Sequence, residues 1–436
     1  MKALIFGLTA ISLVALAPGL SYSADCTTKV GAVLPTSVDW GRPIAATARM
    51  AVDLYNKAGG VKGCKVELIL RDTQVDPKVG VDAAKALVDL DKVPVLIGAV
   101  SSGVSMPILT SVSVPSNVMQ ISCCSSSTVF TGLAKDGKTK GLWFRTFTTS
   151  RNHAAVAAKI IKAKGYNNLV IFYKNDDWGQ DIGKLVKADL EALGVTVKAS
   201  IAINDGQPSY RAEVVEALKS NPGAAYVALY PKEGIATMRE WISLGGTQNL
   251  VVANSLRSEE FRDSVGIKYL GKMVGHDSAA PRTAAAASFT ALYKEAFKKE
   301  PSGPGLPNIF DAVMIALLAM EVSPTLSGDV IARSVSKVTD PNGTPIFPDE
   351  AGIKQASALL AQGKTIRYQG GTGAVTFDQY GDVSAPGLSW NSLKNMNVKW
   401  EKLFYDMIIY KYHNHSSRLW NYSNYQLRHS WRVIII

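Results

Sequence analysis

Short apolar runs alternate with amphipathic stretches from Lys29 onward. The runs rich in β-branched and aromatic residues predict strands at Lys29–Pro35, Lys65–Arg71, Pro94–Val100, Val118–Ser122, Asn168–Lys174, Thr196–Ile203, Ala224–Tyr230 and Leu250–Asn254. Between them, apolar residues recur at helical spacing, as in Ile44, Ala48, Ala51, Val52 and Tyr55, or Ile182, Leu185, Val186 and Leu193. Gly59-Gly60 and Gly194 stand where those helices should stop. Repeated strand–helix–strand units imply parallel sheets covered on both faces. The alternation restarts after Arg145–Ser150, so the expected fold class is α/β, with two doubly wound, Rossmann-like lobes rather than one long sheet.

Further along, Ala284–Lys299 and Ile309–Glu321 predict a helix pair joined by a loop at Pro301–Pro307, the second helix apolar enough to belong to a core. Asp340–Pro348 has the Pro, Asn and Gly of a surface turn, and Gly370–Asp382 predicts turn, short strand, turn. At the other end, Lys2, the apolar stretch Ala3–Ala17 and the small residues Ser21–Ala24 have the form of a secretory signal over residues 1–24. An exported, periplasmic protein is expected. Asp25 argues against a lipid anchor on Cys26. No later stretch has the apolar length of a membrane helix.

Export gives meaning to the four cysteines. Cys26 and Cys64 open consecutive strands of one parallel sheet, whose strands begin at the same edge, and a Cys26–Cys64 disulfide is expected. For adjacent Cys123 and Cys124, small loop-lining residues and a bridged pair both stay open. The net charge of +11 is spread among acids without a long basic run, which gives a mildly basic surface and no nucleic-acid partner. Residues 403–436 hold 8 of the 36 aromatics and 3 of the 5 histidines but one acid, Asp406, so they form an atypical tail. His413 and His415 within it lack further ligands, and no metal or cofactor is expected.

The candidate chemistry lies in two hydroxyl-rich loops, Ser101-Ser102-Gly103 and Cys123-Cys124-Ser125-Ser126-Ser127, each following a predicted parallel strand. Their hydroxyls and free N–H groups suit a carboxylate or another small anion, and the crevice outside such strand ends is where open α/β sheets bind ligands. The alternative is that these serines only cap helices and turns. Nucleophile-elbow, phosphate-loop, zinc-protease and dinucleotide signatures are absent from the sequence. A hydrolase using Ser102, Cys123 or Cys124 would need His153 or His276 as its base, and both histidines are expected at the surface or in packing.

The segments GAVLPTSVDWG (31–41), AVDLYNKAGGVKGCKVELILRDTQVDP (51–77), VLIGAVSSGVSMPI (95–108), QISCCSSSTVFT (120–131), FYKNDDWGQD (172–181) and GAVTFDQYGD (373–382) resemble, in order and spacing, the periplasmic branched-chain amino acid (Leu/Ile/Val)-binding proteins of ABC importers. The resemblance covers roughly residues 27–402. It implies two lobes joined by three hinge crossovers, one lobe from 27–149 and 280–385, the other from 150–279 and 386–402. It also implies a monomer that closes on a small solute and hands it to an inner-membrane permease, with a ligand-sensing module as the alternative.

Carried over, Ser102 would donate to the ligand's carboxylate, and Ser126 would donate its N–H to the same group. The carbonyl of Cys124 and the hydroxyl of Ser126 would face the ammonium, beside Ser125, and Trp40 and Trp178 would close over the ligand. Two positions depart from the family. Leu229 stands where an aromatic often precedes Tyr230, and Asn254 stands where an acid pairs with the ammonium. Glu259 or Glu260 would take over that role only if the loop were longer. The family's usual disulfide positions match Val75 and Ser101, so Cys26–Cys64 would replace that bridge. The ligand is left among amino acids, amides, urea and aromatic acids.

Overall fold

Strand formation follows burial on both faces. In the computed structural model, which describes residues 26–278, 281–383 and 387–391, the first lobe holds β1 (Thr27–Leu34), β2 (Lys65–Asp72), β3 (Val95–Gly98), β4 (Met119–Ser122) and β5 (Trp143–Arg145). They form one parallel sheet in the order β2-β1-β3-β4-β5. Its faces are covered by α1 (Arg42–Lys57), α2 (Pro77–Asp89), α3 (Ser102–Ile108) and α4 (Val129–Lys135), with later helices α10 (Ala284–Phe297), α11 (Leu306–Val322), α12 (Gly328–Val338) and α13 (Glu350–Ala361). α1 buries Ile44, Ala48, Ala51, Val52 and Tyr55, the face its spacing predicts. α11 is apolar on nearly every side, and accordingly it is the central helix of the first-lobe core, packed against α1, α12 and α13.

The second lobe repeats the plan. Its sheet contains β6 (Asn168–Lys174), β7 (Thr196–Ile203), β8 (Ala225–Ala228), β9 (Leu250–Val252) and β10 (Val274–Ser278), and runs β14-β10-β9-β8-β6-β7, with β14 (Gly387–Asn391) antiparallel at one edge. α5 (Ser150–Ala163), α6 (Asp177–Ala192), α7 (Arg211–Leu218), α8 (Pro231–Ser243) and α9 (Glu259–Val265) cover it. The chain passes between the lobes after β5, after β10 and before β14, the three crossovers of a two-lobed α/β fold. In both sheets the strand order turns back next to the first strand, so each has a switch point at its carboxyl edge, and the two edges face each other.

Several elements differ from the sequence expectation. β5 is three residues long and carries Arg145, and β10 carries His276 and Asp277, so neither shows an apolar run. Asp340–Pro348 is more than a turn: Thr344–Ile346 forms β11, which pairs in parallel with β12 (Ile366–Gly370), and β12 turns into β13 (Gly373–Ala374). The signal segment, the 403–436 tail and its His413 and His415 lie outside the described residues.

Two polar devices hold the lobes. Arg145 is completely buried, its Nε donating to Asp382 Oδ1 at 2.6 Å and its Nη2 to Thr131 Oγ1 at 2.8 Å, so the charge is paired where it is desolvated. In the second lobe, His153 and His276 are buried packing residues whose Nδ1 atoms lie 3.1 Å apart, with the Tyr226 hydroxyl 2.9 Å from His276 Nε2. Burial pushes His153 down to about 4, against the opposing pull of Asp277, and burial beside His153 holds His276 well below its usual range.

The Cys26–Cys64 disulfide is present, its Cα atoms 5.0 Å apart and the residues separated by 38 positions. Closing a loop of that size contributes about 3–4 kcal/mol by restricting the unfolded chain. The double substitution C26S/C64S is expected to lower the unfolding free energy by about that much in urea titrations; an unchanged midpoint would contradict this. The histidines predict a second effect. A His153 pKa near 4 when folded lies below the unfolded value of about 6.5, so its contribution is full above pH 6.5 and is lost as pH falls toward 4. That step amounts to about 3 kcal/mol for His153. Urea midpoints of the wild type at pH 7.5 and pH 4.5 should diverge more than those of His153→Gln; equal divergence would remove the histidine from the acid response.

Candidate ligand-binding cleft

The site is assembled from strand ends. In the first lobe the loop after β3 and the loop after β4 are sewn together by Ser122, whose hydroxyl donates to the Ala99 carbonyl at 2.6 Å while accepting from the N–H groups of Cys124 and Ser125 at 3.2 and 3.1 Å. Ser127 N–H donates to Ser102 Oγ at 3.2 Å, which leaves the Ser102 proton for another acceptor. From behind, Arg145 Nη1 donates to the carbonyls of Ser127 at 2.7 Å and Ser125 at 3.2 Å. One buried guanidinium therefore fixes the curvature of the serine loop. Ser126 follows the crossover as well: its carbonyl accepts from Ser150 N–H at 2.6 Å, and its hydroxyl is 3.1 Å from Ser150 Oγ.

The second lobe contributes aromatic rings. Asp176 caps α6 by accepting from the N–H groups of Trp178 and Gly179 at 3.0 and 2.8 Å, which sets Trp178 on the first turn of the helix. Tyr230 precedes α8 at the end of β8. Its ring stacks on Trp178 with centroids 5.0 Å apart and on Trp40 of the first lobe at 5.8 Å, so three aromatic planes span the cleft.

A chain of polar contacts runs beside them from lobe to lobe: the Tyr230 hydroxyl donates to Ser101 Oγ at 3.0 Å, and Ser101 Oγ donates to Asp176 at 3.4 Å. Burial pushes Asp176 up to about 6 and Tyr230 well above the usual phenol range. Farther out, Thr128 donates from its N–H at 2.8 Å and its hydroxyl at 2.6 Å to Asp181.

Between the lobes lies a cavity that brings together Trp40, Ser102, Cys124, Ser126, Trp178, Tyr230 and Asn254 from the sequence expectation. The structure turns two expected residues away. The Ser125 hydroxyl bonds to Ser105 Oγ at 2.8 Å inside the first lobe, and the Leu229 side chain is buried in the second-lobe core, its carbonyl accepting from Ser255 at 2.7 Å. Both neighbour lining residues, and Leu229 adjoins Tyr230 in extended backbone, where successive side chains point to opposite sides.

Sequence reasoning missed Phe147 on the crossover, Ser255 and Ser258 after β9, and Pro304-Gly305 before α11. Ser255 and Ser258 were signalled only by closeness to Asn254; Pro304 and Gly305 arrive from a loop with no local signature. Among the described residues, no charged side chain lines the cavity. Glu259 and Glu260 lie on the first turn of α9 outside its lining, and no group of three or more metal-ligating side chains occurs among the described residues. The structure also closes the question left at Cys123 and Cys124: the two are joined by a disulfide. The histidines a hydrolase would need bond instead to each other and to Tyr226.

Residues 27–372 match the family model described as periplasmic binding protein. The chain is 25% identical, over 93% of its length and 95% of the relative's, to the leucine-, isoleucine-, valine-, threonine- and alanine-binding protein of Pseudomonas aeruginosa. It is 24% identical, over 79% of its length and 82% of the relative's, to the chemotactic signal transduction system substrate-binding protein BasB of Halobacterium salinarum. Among solved structures, the leucine binding protein LivK of Thermotoga maritima superposes with a TM-score of 0.71 at 23% identity, covering 86% of this chain and 98% of that one. With the two switch points facing each other across the hinge, the chain belongs to the periplasmic binding protein family.

Proposed function

We propose that the protein is the extracytoplasmic solute-binding component of an ABC importer. It binds a small hydrophobic amino acid, or a related carboxylate or amide, in the cleft and releases it unchanged to an inner-membrane permease. The observation that carries this reading is the convergence of Ser102 and Ser126 from one lobe and Trp178 and Tyr230 from the other on one cavity that no charged side chain lines among the described residues. The Ser102 hydroxyl and the Ser126 N–H donate to an oxygen of the solute. The Cys124 carbonyl and the Ser126 and Asn254 side chains face its nitrogen, and the rings of Trp40, Trp178 and Tyr230 cover its apolar body. An amide at position 254 forgoes the charge-assisted bond that a carboxylate gives an ammonium, roughly twice as strong as a neutral one. That loosens the hold on an α-ammonium and brings amides and nitrogen-free carboxylates into range beside amino acids.

Lobe closure is the signal the permease reads, because a solute held by both lobes stabilises the closed arrangement over the open one. The protein works as a periplasmic monomer. No helix among the described residues is long and apolar enough to cross a membrane. The likeness to BasB supports a second reading, in which the same closure is read by a signalling receptor instead of a permease.

A thermal-shift screen of hydrophobic amino acids, aliphatic amides and aromatic carboxylates is expected to give at least one compound that raises the melting temperature. A folded protein that none of them stabilises would contradict the reading. For a compound that binds, Ser102→Ala should weaken affinity by about 1–2 kcal/mol, roughly tenfold, and should also lower the melting temperature of the unliganded protein, because Ser127 N–H loses its acceptor. Calorimetry that finds equal affinity in wild type and variant would remove Ser102 from the site.

A further inference from the structure

The Cys123–Cys124 disulfide occupies an unusual place for a structural bridge. It joins adjacent residues, so it closes no long loop and restricts the unfolded chain far less than Cys26–Cys64 does. Its position is at the end of β4, where the chain enters the serine loop. Cys123 is wholly buried in the first-lobe core, whereas Cys124 is half-buried and lines the cavity beside Ser126. Against Cys124 in the cavity lining lies Gly305, in the left-handed region at φ +78°, where a Cβ would come within 2.5 Å of Cys124 Sγ. The backbone here is packed against the sulfur with no room to spare. The same short loop carries Gly303, whose carbonyl accepts from Arg257 Nη2 of the second lobe at 2.6 Å, and Arg257 is in turn paired with Asp277 at 3.0 Å. The bridge thus touches both the solute space and a loop tied to the opposite lobe.

We propose that the Cys123–Cys124 bridge is a redox-sensitive wall of the solute cavity, and that its reduction weakens solute binding; this rests on the solute-receptor reading above. A dithiol reductant supplies the two electrons. Its thiolate attacks the accessible Cys124 sulfur, the S–S bond breaks, and the Cys123 sulfur leaves as a thiolate and takes up a proton. The second thiol of the reductant then attacks its own sulfur in the mixed disulfide, releases Cys124 as a thiolate that is protonated in turn, and leaves the reductant as a cyclic disulfide. Two thiols are no longer held at the bonded separation of about 2.05 Å and must move apart. Cys123 is enclosed by core side chains, so the displacement falls on Cys124. Its sulfur moves either into the solute space or against Gly305, and both directions disturb the closed cleft.

The test treats the folded protein with dithiothreitol, caps thiols with iodoacetamide and maps the peptides by mass spectrometry, on the wild type and on C26S/C64S. In parallel, L-leucine, isobutyramide and benzoate are titrated into oxidised and reduced protein. The expected result is capping of Cys124 ahead of Cys123 in folded protein, and affinity for the compound that binds lower by about tenfold after reduction. The C26S/C64S variant should keep the same response.

A bridge that survives dithiothreitol while Cys26–Cys64 opens, or reduced protein that binds as tightly as oxidised protein, would overturn the proposal. If none of the three compounds binds the oxidised protein but the wider screen yields one, the same comparison is run with that compound. If the screen yields none, the solute-receptor reading fails, and the redox proposal falls with it even where the capping pattern is as expected.

Discussion

The buried guanidinium of Arg145 is the interaction on which the cleft depends. A charge without solvent must be fully paired, and Arg145 meets that demand with the Asp382 carboxylate on one side and the carbonyls of Ser125 and Ser127 on the other. The carbonyls belong to the loop that presents Cys124 and Ser126. Asp382 belongs to a segment more than two hundred residues later, so the ligand loop is shaped by the C-terminal part of the first lobe. Arg145 also ends β5, where the chain leaves for the second lobe. Loop shape and hinge are therefore governed by one side chain, and a change in either is felt by the other.

Around that anchor the two lobes make different contributions. The first supplies hydroxyls and N–H groups on loops locked by Ser122, and the second supplies the aromatic faces of Trp178 and Tyr230, set by the Asp176 cap and the start of α8. Neither half makes a site alone. Donors without a cover stay hydrated, and rings without donors lack a means of fixing a polar group. A solute that satisfies both halves at once stabilises their closure. Among the described residues the lining is uncharged, so in the proposed site orientation comes from neutral hydrogen bonds and discrimination from shape and ring contact.

Much of this was legible in the chain. β6 and β7 match their apolar runs residue for residue, because both lie in segments whose alternation and length leave one interpretation. β5 and β10 were not legible, since Arg145, His276 and Asp277 are buried by pairing and not by hydrophobicity, and local periodicity carries no record of a distant partner. At the site, Ser102 and Ser126 could be read from strand-end position. Ser125 and Leu229 could not be told from their neighbours, because one residue of register decides which side of the backbone faces the cavity. Phe147 and Pro304 enter from the crossover and from a loop before α11, and only the folded topology brings them in.

The most direct measurement is a crystal structure of the protein grown with a stabilising solute. Solute density is expected between the lobes, with an oxygen within hydrogen-bond distance of Ser102 Oγ and Ser126 N and an apolar body against the Trp40, Tyr230 and Trp178 rings. Density bound elsewhere on the surface, with the cleft holding only solvent, would contradict the assignment of this cavity as the receptor site.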